Sequence, residues 1–483
     1  MEFGGGKGGS QRAALVTVSE ILPEAHPPGT YPMKSDSDLP GGRRLLADAL
    51  DPRSLDPDAK RVVKRLQRHG HEAYFVGGCV RDLLIGREPK DFDVATSASP
   101  STIRRLFRNG RIIGRRFRLV HIYYGDRICE TATFRREPQR DSEEEDLLIR
   151  EDNEYGTAAE DAQRRDFTVN GLFLDPSTLE VLDYVQGLED LEDRLLRTIG
   201  DPERRFAEDP VRIMRAVKFA TRLDFEIEDE TWDAMCAVAP DLERAAPARV
   251  FEEILRLLRS GTSQGAFRML WACGALDVLL PEHGKYLGKY RPRPREQTRQ
   301  AGDLFALLEA LDHRVSQGYQ PGMALCIAAL FHPLVEDAAD VDPEELPTAL
   351  DTLRLQVAEE SIDPVADLAR ISRKEAARAA RIIAMQPAFQ HRPLVTGEED
   401  SVPFSPLLFA LSEGFEDALD LYRLRVLARG KGRDMLDAWQ ARFERAQAAS
   451  PEEIEAEQRR IRKGKRRRRR RPQRRNRGSR GRE

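Results

Sequence analysis

The sequence predicts a small α/β head followed by a predominantly helical body, with an unstructured leader in front and a basic tail behind. Three observations predict it. Apolar runs of strand length that end in glycine turns are confined to residues 45–184. After residue 185 strand signals fade and apolar residues recur at helical spacing. The two ends have no sustained periodicity: residues 1–44 are rich in Gly, Pro and Ser, and residues 456–483 are rich in Arg. At 483 residues the chain is long enough for about two to four domains. The reading assigns a flexible leader (1–44), a head of small mixed-sheet type (45–184), a helical neck (185–290), a helical C-terminal domain (291–455) and a disordered arginine-rich tail (456–483).

The elements follow in order. Val62, Val63 and Leu66 recur at helical spacing, and Gly70 ends that helix as a C-cap. AYFVGG (73–78) is a short buried strand running into a glycine turn, and CVRDLLIG (79–86) the helix behind it. DFDVAT (91–96) is a second strand, and Ser101 starts the short amphipathic helix STIRRLFRN. RIIGRRF (111–117) is a glycine-broken segment. RLVHIYY and RICETATF flank Gly125-Asp126 as a hairpin. Residues 136–155 are acidic and patternless, a mobile loop. QRRDFTVNGLFLD (163–175) reads as a helix followed by a strand. The helices DPVRIMRAVKFATRL, PARVFEEILRLLRSG and QGAFRMLWACGALDVLL come next. A Pro, Lys and Arg-rich linker (284–300) precedes helical pattern from Ala301 to about residue 449.

Composition excludes several classes. There is no run of about 18 apolar residues for a membrane-spanning helix, and the first thirty residues lack an apolar signal core, so the expected location is the cytoplasm. The five cysteines, Cys79, Cys129, Cys236, Cys273 and Cys326, are odd in number and include no CxxC, which argues against a disulfide framework or a structural zinc site. The eight histidines include no His-Asp pair of a phosphohydrolase; His332 is followed by Pro. The net charge of −4 conceals a polarity. Residues 459–483 hold sixteen Lys or Arg and one Glu, a charge of +15, leaving −19 on the other 458 residues. Such a tail suits a polyanion, above all nucleic acid.

The chemistry concentrates in GGCVRDLLIGREPKDFDVAT (77–96). Gly77 and Gly78 let backbone approach a phosphate closely. Arg81, just inside the next helix, is placed to add positive charge. Asp91 and Asp93, two apart on a strand, project to one face. Side-by-side carboxylates repel unless a divalent cation sits between them, the arrangement of two-metal nucleotidyl transfer. Glu130, on the second arm of the hairpin, is a third carboxylate for that cluster. A lone DxD is as ordinary as a solvated strand end. A glycine pair, helix, DxD and later strand carboxylate in this order are specific.

These residues resemble the polymerase β-type nucleotidyltransferase superfamily, and within it the class II group of bacterial poly(A) polymerases and tRNA CCA-adding enzymes. RRDFTVN (164–170) and DYVQGLEDLEDRLLRTIGDPERRFAEDPVRIMRAVKFA (183–220) resemble further segments of that family in its own order, over about residues 45–290. The resemblance implies that Asp91 and Asp93 are the catalytic, metal-binding pair and Glu130 the third head carboxylate. It implies that Asp166 contacts the ribose hydroxyl as one of the catalytic set, that Arg164 and Arg165 face the triphosphate, and that Asn170, in the RRDFTVN motif, binds nucleotide along with Gly77, Gly78 and Arg81. Glu208, Asp209 and Arg212 match the EDxxR segment that reads the incoming base, with Arg215 on the same helical face. Standing alone, EDxxR is ordinary ion pairing on an exposed helix.

The two branches of the family share all of this. IIGRRFRLVHIYYG (112–125) resembles the poly(A) polymerase pattern, where CCA-adding enzymes usually carry a Thr, Gly and His-containing segment. Arg115, Arg116 and Arg118 bring positive charge for an RNA 3′ end, or serve only as a basic strand edge that discourages aggregation. On spacing alone the branches stay open; the arginine tract KGKRRRRRRPQRR (463–475) favours an enzyme that extends many unrelated 3′ ends. The resemblance thus implies a template-independent polymerase adding AMP from ATP, with Mg2+ or Mn2+, to the 3′ ends of mRNA and other transcripts, in the company of RNA-decay proteins. The alternatives are a CCA-adding or A-adding tRNA nucleotidyltransferase, and an RNA-binding protein with an inactive head.

Overall fold

The computed structural model describes residues 35–36, 43–46, 50–114, 118–136, 154–290, 298–339, 350–390 and 404–470, with backbone alone at 35–36, 43–46 and 463–470. The chain divides into two compact units: residues 1–246 with 265–279, and residues 247–264 with 280–483.

The first unit is built on one mixed sheet. Its strands are β1 (Ser35–Asp36), β2 (Arg43–Leu46), β3 (Ala73–Val76), β4 (Val94–Thr96), β5 (Gly110–Ile113), β6 (Leu119–Tyr124), β7 (Arg127–Thr133), β8 (Leu172–Leu174) and β9 (Glu180–Asp183), in the order β1-β2-β9-β8-β3-β4-β7-β6-β5. Only β4 and β7 run parallel; every other neighbouring pair is antiparallel. Helix α1 (Pro57–Arg68) starts where the Asp56 carboxylate accepts from the backbone N–H groups of Asp58 and Ala59, with Pro57 at its first position. It buries Val62, Val63 and Leu66, and Gly70 beyond it takes a left-handed φ of 81°. Helices α2 (Gly78–Leu84) and α3 (Pro100–Leu106) follow β3 and β4. The β6–β7 hairpin turns at Gly125-Asp126, with Tyr124 opposite Arg127. Phe134 and Phe173, both fully buried, anchor the core on one side of the sheet, with Tyr74 stacked on Phe134.

Helices complete this unit. α4 (Ala158–Gln163) opens with a capping box between Thr157 and Glu160. α5 (Gly187–Glu192) begins where the Asp183 carboxylate accepts from the N–H groups of Val185, Gly187 and Leu188. A small parallel pair, β10 (Leu195–Leu196) with β11 (Glu226–Ile227), brackets α6 (Pro202–Glu208) and α7 (Val211–Leu223), and α8 (Asp229–Val238) comes after. α7 is the amphipathic helix expected from DPVRIMRAVKFATRL; it buries Ile213, Met214, Val217 and Ala220.

The second unit is helical. Its longest described helices are Pro247–Leu258, Arg299–Ser316, Met323–Ala338, Thr352–Ala369, Arg373–Ala384, Phe415–Arg429, Arg433–Gln447 and Pro451–Arg470. Phe389, Phe404, Phe409, Phe415 and Tyr422 gather around Trp439, whose indole N–H donates to the carbonyl of Phe389 at 3.0 Å, so this aromatic core leaves no indole donor unmet. No helix among the described residues is long and apolar enough to cross a membrane.

Four local expectations change. Strands β1 and β2 begin inside the expected leader, because β9 offers an antiparallel edge that the sequence pattern did not reveal. The helix expected to start at Ser101 starts at Pro100, capped by Ser99, whose hydroxyl accepts from the N–H of Thr102. The stretch 163–170 is a turn and a 3-10 helix (Thr168–Asn170), the α-helix lying just upstream in α4. The tail expected to be disordered from residue 456 is helical to Arg470. Glu455–Arg459 and Glu457–Arg460 pairs, four and three residues apart, supply the local reason.

Candidate active site

The carboxylate side of the site is made by the middle of the sheet. Asp91, Phe92 and Asp93 are an extended approach to β4 rather than part of it. The carbonyl of Asp93 accepts from the N–H of Val76 at 3.0 Å, and Phe92 turns inward, edge-on to Phe75 at 5.2 Å. Alternation then sends Asp91 and Asp93 to the opposite, open face. Continuing the β4–β7 register back one step sets Asp93 beside Glu130, which β6 in turn holds opposite His121, 3.3 Å from its Nε2.

Among the described residues neither Asp91 nor Asp93 has a side-chain hydrogen-bond partner. Asp93 is exposed, with neighbouring protein crowding its carboxyl. Loss of solvation, then repulsion by Glu130 and Asp91, raises its carboxyl to about 6 against the pull of Arg165. Among the described residues no three such groups are already gathered to hold a metal ion. Oxygen ligands, like charge and unused acceptors fit a divalent cation that draws them together.

On the guanidinium side Arg165 and Arg215 are held by carboxylates. Arg165 lies over Gly77, which takes a φ of 73°; a Cβ there would stand 3.1 Å from Nη1 of Arg165. Arg165 also covers the ring of Phe173 and is held by the Asp161 carboxylate at 2.9 Å. Asp166 accepts from Arg215 at 2.6 Å and from the Asn170 amide at 3.1 Å. Burial alone would raise the Asp166 carboxyl, but Arg215, the Asn170 hydrogen bond and Arg212 together hold it at about 2. Arg164 sits among Arg135, Arg165, Arg205 and Arg212. Burial first, and then those four cations, lower its guanidinium to about 9. Such a concentration of positive charge fits a polyphosphate.

Two expected contact residues occupy other places. Arg81 is 2% exposed, packed on Phe219, and donates to Asp82 and to the Asn170 oxygen, so it positions Asn170 from beneath the surface. Glu208 is 2% exposed and accepts from Arg204, Arg205 and Arg212 at 3.0–3.3 Å, anchoring the segment rather than presenting an edge to a base. Asp209, half-buried, ends α6 and remains at the surface with Arg215. Gly78 starts α2, and Arg118 is exposed just before β6. Arg115 and Arg116 lie outside the described residues.

Two residues were not found from the sequence. Arg205 donates from Nη2 to the carbonyls of both Arg164 and Arg165 and from Nη1 to Glu208. Asp161 accepts from Arg165 and from the N–H of Arg135. The only signal for Arg205 was its i,i+3 spacing to Glu208; the carbonyls it clamps are about forty residues away in the chain.

Comparison with known proteins gives three matching family models. "Poly A polymerase head domain" covers residues 73–197, "Probable RNA and SrmB- binding site of polymerase A" residues 224–287, and "Polymerase A arginine-rich C-terminus" residues 352–475. The chain is similar to poly(A) polymerase I of Haemophilus influenzae, 42% identical over 59% of this chain and 64% of that one. It is also similar to the CCA-adding enzyme of Enterococcus faecalis, 35% identical over 52% of this chain and 61% of that one. It thus spans less than two-thirds of the length of these relatives. Its fold is that of the Bacillus stearothermophilus CCA-adding enzyme solved with CTP, at a TM-score of 0.58 and 24% identity over 81% of this chain and 83% of that one. With the head, the RNA-binding segment and the arginine-rich C-terminus all matched in order, the chain belongs to the class II nucleotidyltransferase family of poly(A) polymerases and CCA-adding enzymes.

Proposed function

We propose that this protein is a template-independent poly(A) polymerase that transfers AMP from ATP to RNA 3′ ends. The observation that carries the reading is that the open carboxylates of Asp91 and Asp93, with Glu130 beside them, share one unit with a guanidinium set (Arg164, Arg165, Arg215). The acceptor's 3′ oxygen attacks the α-phosphorus, the bond to the β-phosphate oxygen breaks, pyrophosphate leaves, and the hydroxyl proton passes to solvent. Mg2+, with Mn2+ as substitute, is the cation that Asp91, Asp93 and Glu130 would hold, and it supplies Lewis acidity toward the hydroxyl and the triphosphate.

The chain's own residues do the rest. Arg164 and Arg165 bind the triphosphate over the Gly77 backbone. Asp166, kept ionised by Arg215, accepts from a ribose hydroxyl. Asp209 and Arg212 face the base, with Arg212 oriented by Glu208 and by the carbonyl of Arg205. The same reading has residues 185–290 hold the base, and gives the sequence-independent grip on mRNA and other transcripts to the later helices, the arginine tract and the basic residues Arg115, Arg116 and Arg118. It places the enzyme in the cytoplasm in contact with RNA-decay proteins.

Similarity to CCA-adding enzymes supports a second reading, tRNA nucleotidyltransferase. A 3′-extension assay separates the two. Purified protein, Mg2+ and each of ATP, CTP, GTP and UTP alone are offered with an unstructured RNA and with a tRNA lacking its 3′ end. A long ladder with ATP only, on either RNA, is the expected result. Two C additions and then one A, confined to the tRNA, would instead make this a CCA-adding enzyme. No extension at all would leave the RNA-binding reading.

A further inference from the structure

The register of β5, β6 and β7 lays their side chains out in rows. Arg111, His121 and Glu130 form one row; Tyr123 and Ile128 form the next; Ile113, Leu119 and Ala132 form the row on the other side. All project to the face that carries Asp93, while Val120, Ile122, Cys129 and Thr131 point the other way and are buried. The face mixes charged and apolar groups: Ile128 is 45% exposed and Ile113 39%, with the exposed Arg111 and Glu130 in the row between them. Arg111 lies 5.6 Å over the Tyr123 ring, and the His121 ring sits 6.3 Å from it. Among the described residues, exposed apolar side chains beside an arginine-backed ring near a sheet edge suit a partner.

Resting on the nucleotidyl-transfer reading, we propose that this face takes the terminal bases of the single-stranded RNA being extended, with Tyr123 and Ile128 under the nucleotide next to the reacting 3′ end. The row of Glu130 is level with Asp93, where the 3′ oxygen reacts. The Tyr123–Ile128 row lies two residues away along the strand, about 7 Å, roughly one nucleotide of extended chain. An acceptor strand running along β7 crosses this face on its way to the carboxylates. An aromatic ring backed by an arginine stacks any base, which suits an enzyme whose acceptors share no sequence.

The test uses the full chain with Tyr123→Ala, Tyr123→Phe and Ile128→Glu. Extension of an unstructured 12-nucleotide RNA gives KM for RNA and KM for ATP separately. Fluorescence anisotropy of the same labelled RNA, without ATP, gives its Kd. Tyr123→Ala and Ile128→Glu should each raise KM for RNA and Kd about tenfold, with KM for ATP within twofold and Tyr123→Phe close to wild type. Ile128 is exposed, so its variant keeps the fold, and melting curves verify this. Unchanged RNA constants in folded variants, or a change confined to ATP, would overturn the proposal. So would an unchanged RNA Kd accompanied by loss of self-association in Ile128→Glu, which would assign the face to a second copy. If wild type transfers no nucleotide but the variants still weaken RNA binding, the catalytic reading fails and the face stands.

Discussion

On the strand side of the site, Asp91, Asp93 and Glu130 stand open, like charges together, with Asp93 pushed up to about 6. On the helix side, Asp166 is held at about 2 and Glu208 is buried among three arginines. Both sides are rich in carboxylates, yet only the second is satisfied by the protein itself. The difference shows which carboxylates are structural and which wait for a ligand. A folded chain rarely leaves like charges unpaired without a use for them.

The sharpest break of this contrast is on the open side. Asp91→Asn or Asp93→Asn should reduce AMP transfer by at least ~1,000-fold, about 4 kcal/mol of barrier. The melting temperature should not fall, since each change removes repulsion. On the bonded side the expectation reverses. Arg205→Ala leaves Glu208 buried with less charge around it and frees the Arg164 and Arg165 carbonyls; it should cost about 3 kcal/mol of stability, read by urea unfolding.

Asp166→Asn should cost about 2 kcal/mol at neutral pH. Because the folded-state value of Asp166 lies below the usual 3.8, at about 2, its contribution is full above pH 4 and disappears as pH falls from 4 through 2. The wild-type acid-unfolding curve should therefore be steeper than the variant's in that window. Asp93 titrates in the opposite sense. Its proton competes with a divalent cation near pH 6, so at limiting Mg2+ transfer should drop below pH 6 and recover when more Mg2+ is added. Smallest is Gly77→Ala, with φ at 73° and a Cβ pressed toward Arg165; about 1 kcal/mol of stability and a raised KM for ATP are expected.

The same contrast marks what the sequence made legible. The open side was readable because its logic is local: Asp91 and Asp93 share a face by strand alternation, and Glu130 follows from the hairpin turn at Gly125-Asp126. The bonded side was legible in its membership but not in its roles. Arg81 and Glu208 fall in recognisable motifs, yet their burial depends on Asn170 and on Arg205, partners that the topology brings together. Asp161 and Arg205 act through backbone groups distant in the chain, which no spacing encodes. In the fold, β9 and the β2 strand on its outer edge were missed because Glu180–Asp183 is a four-residue hairpin arm with no periodicity of its own. The 3-10 turn at Thr168–Asn170 mimics the start of a helix in residue type.

The most direct test of the contrast is Mn2+ binding, followed by electron paramagnetic resonance, in wild type and in the Asp91→Asn/Asp93→Asn double variant. Both are folded at neutral pH, with ATP and an RNA ending in a 3′-deoxynucleotide present. Wild type should bind Mn2+ in the micromolar range, and the double variant should lose that signal beyond the background of ATP alone. Equal binding by the two proteins would contradict the account, because the open carboxylates would then have no cation to hold.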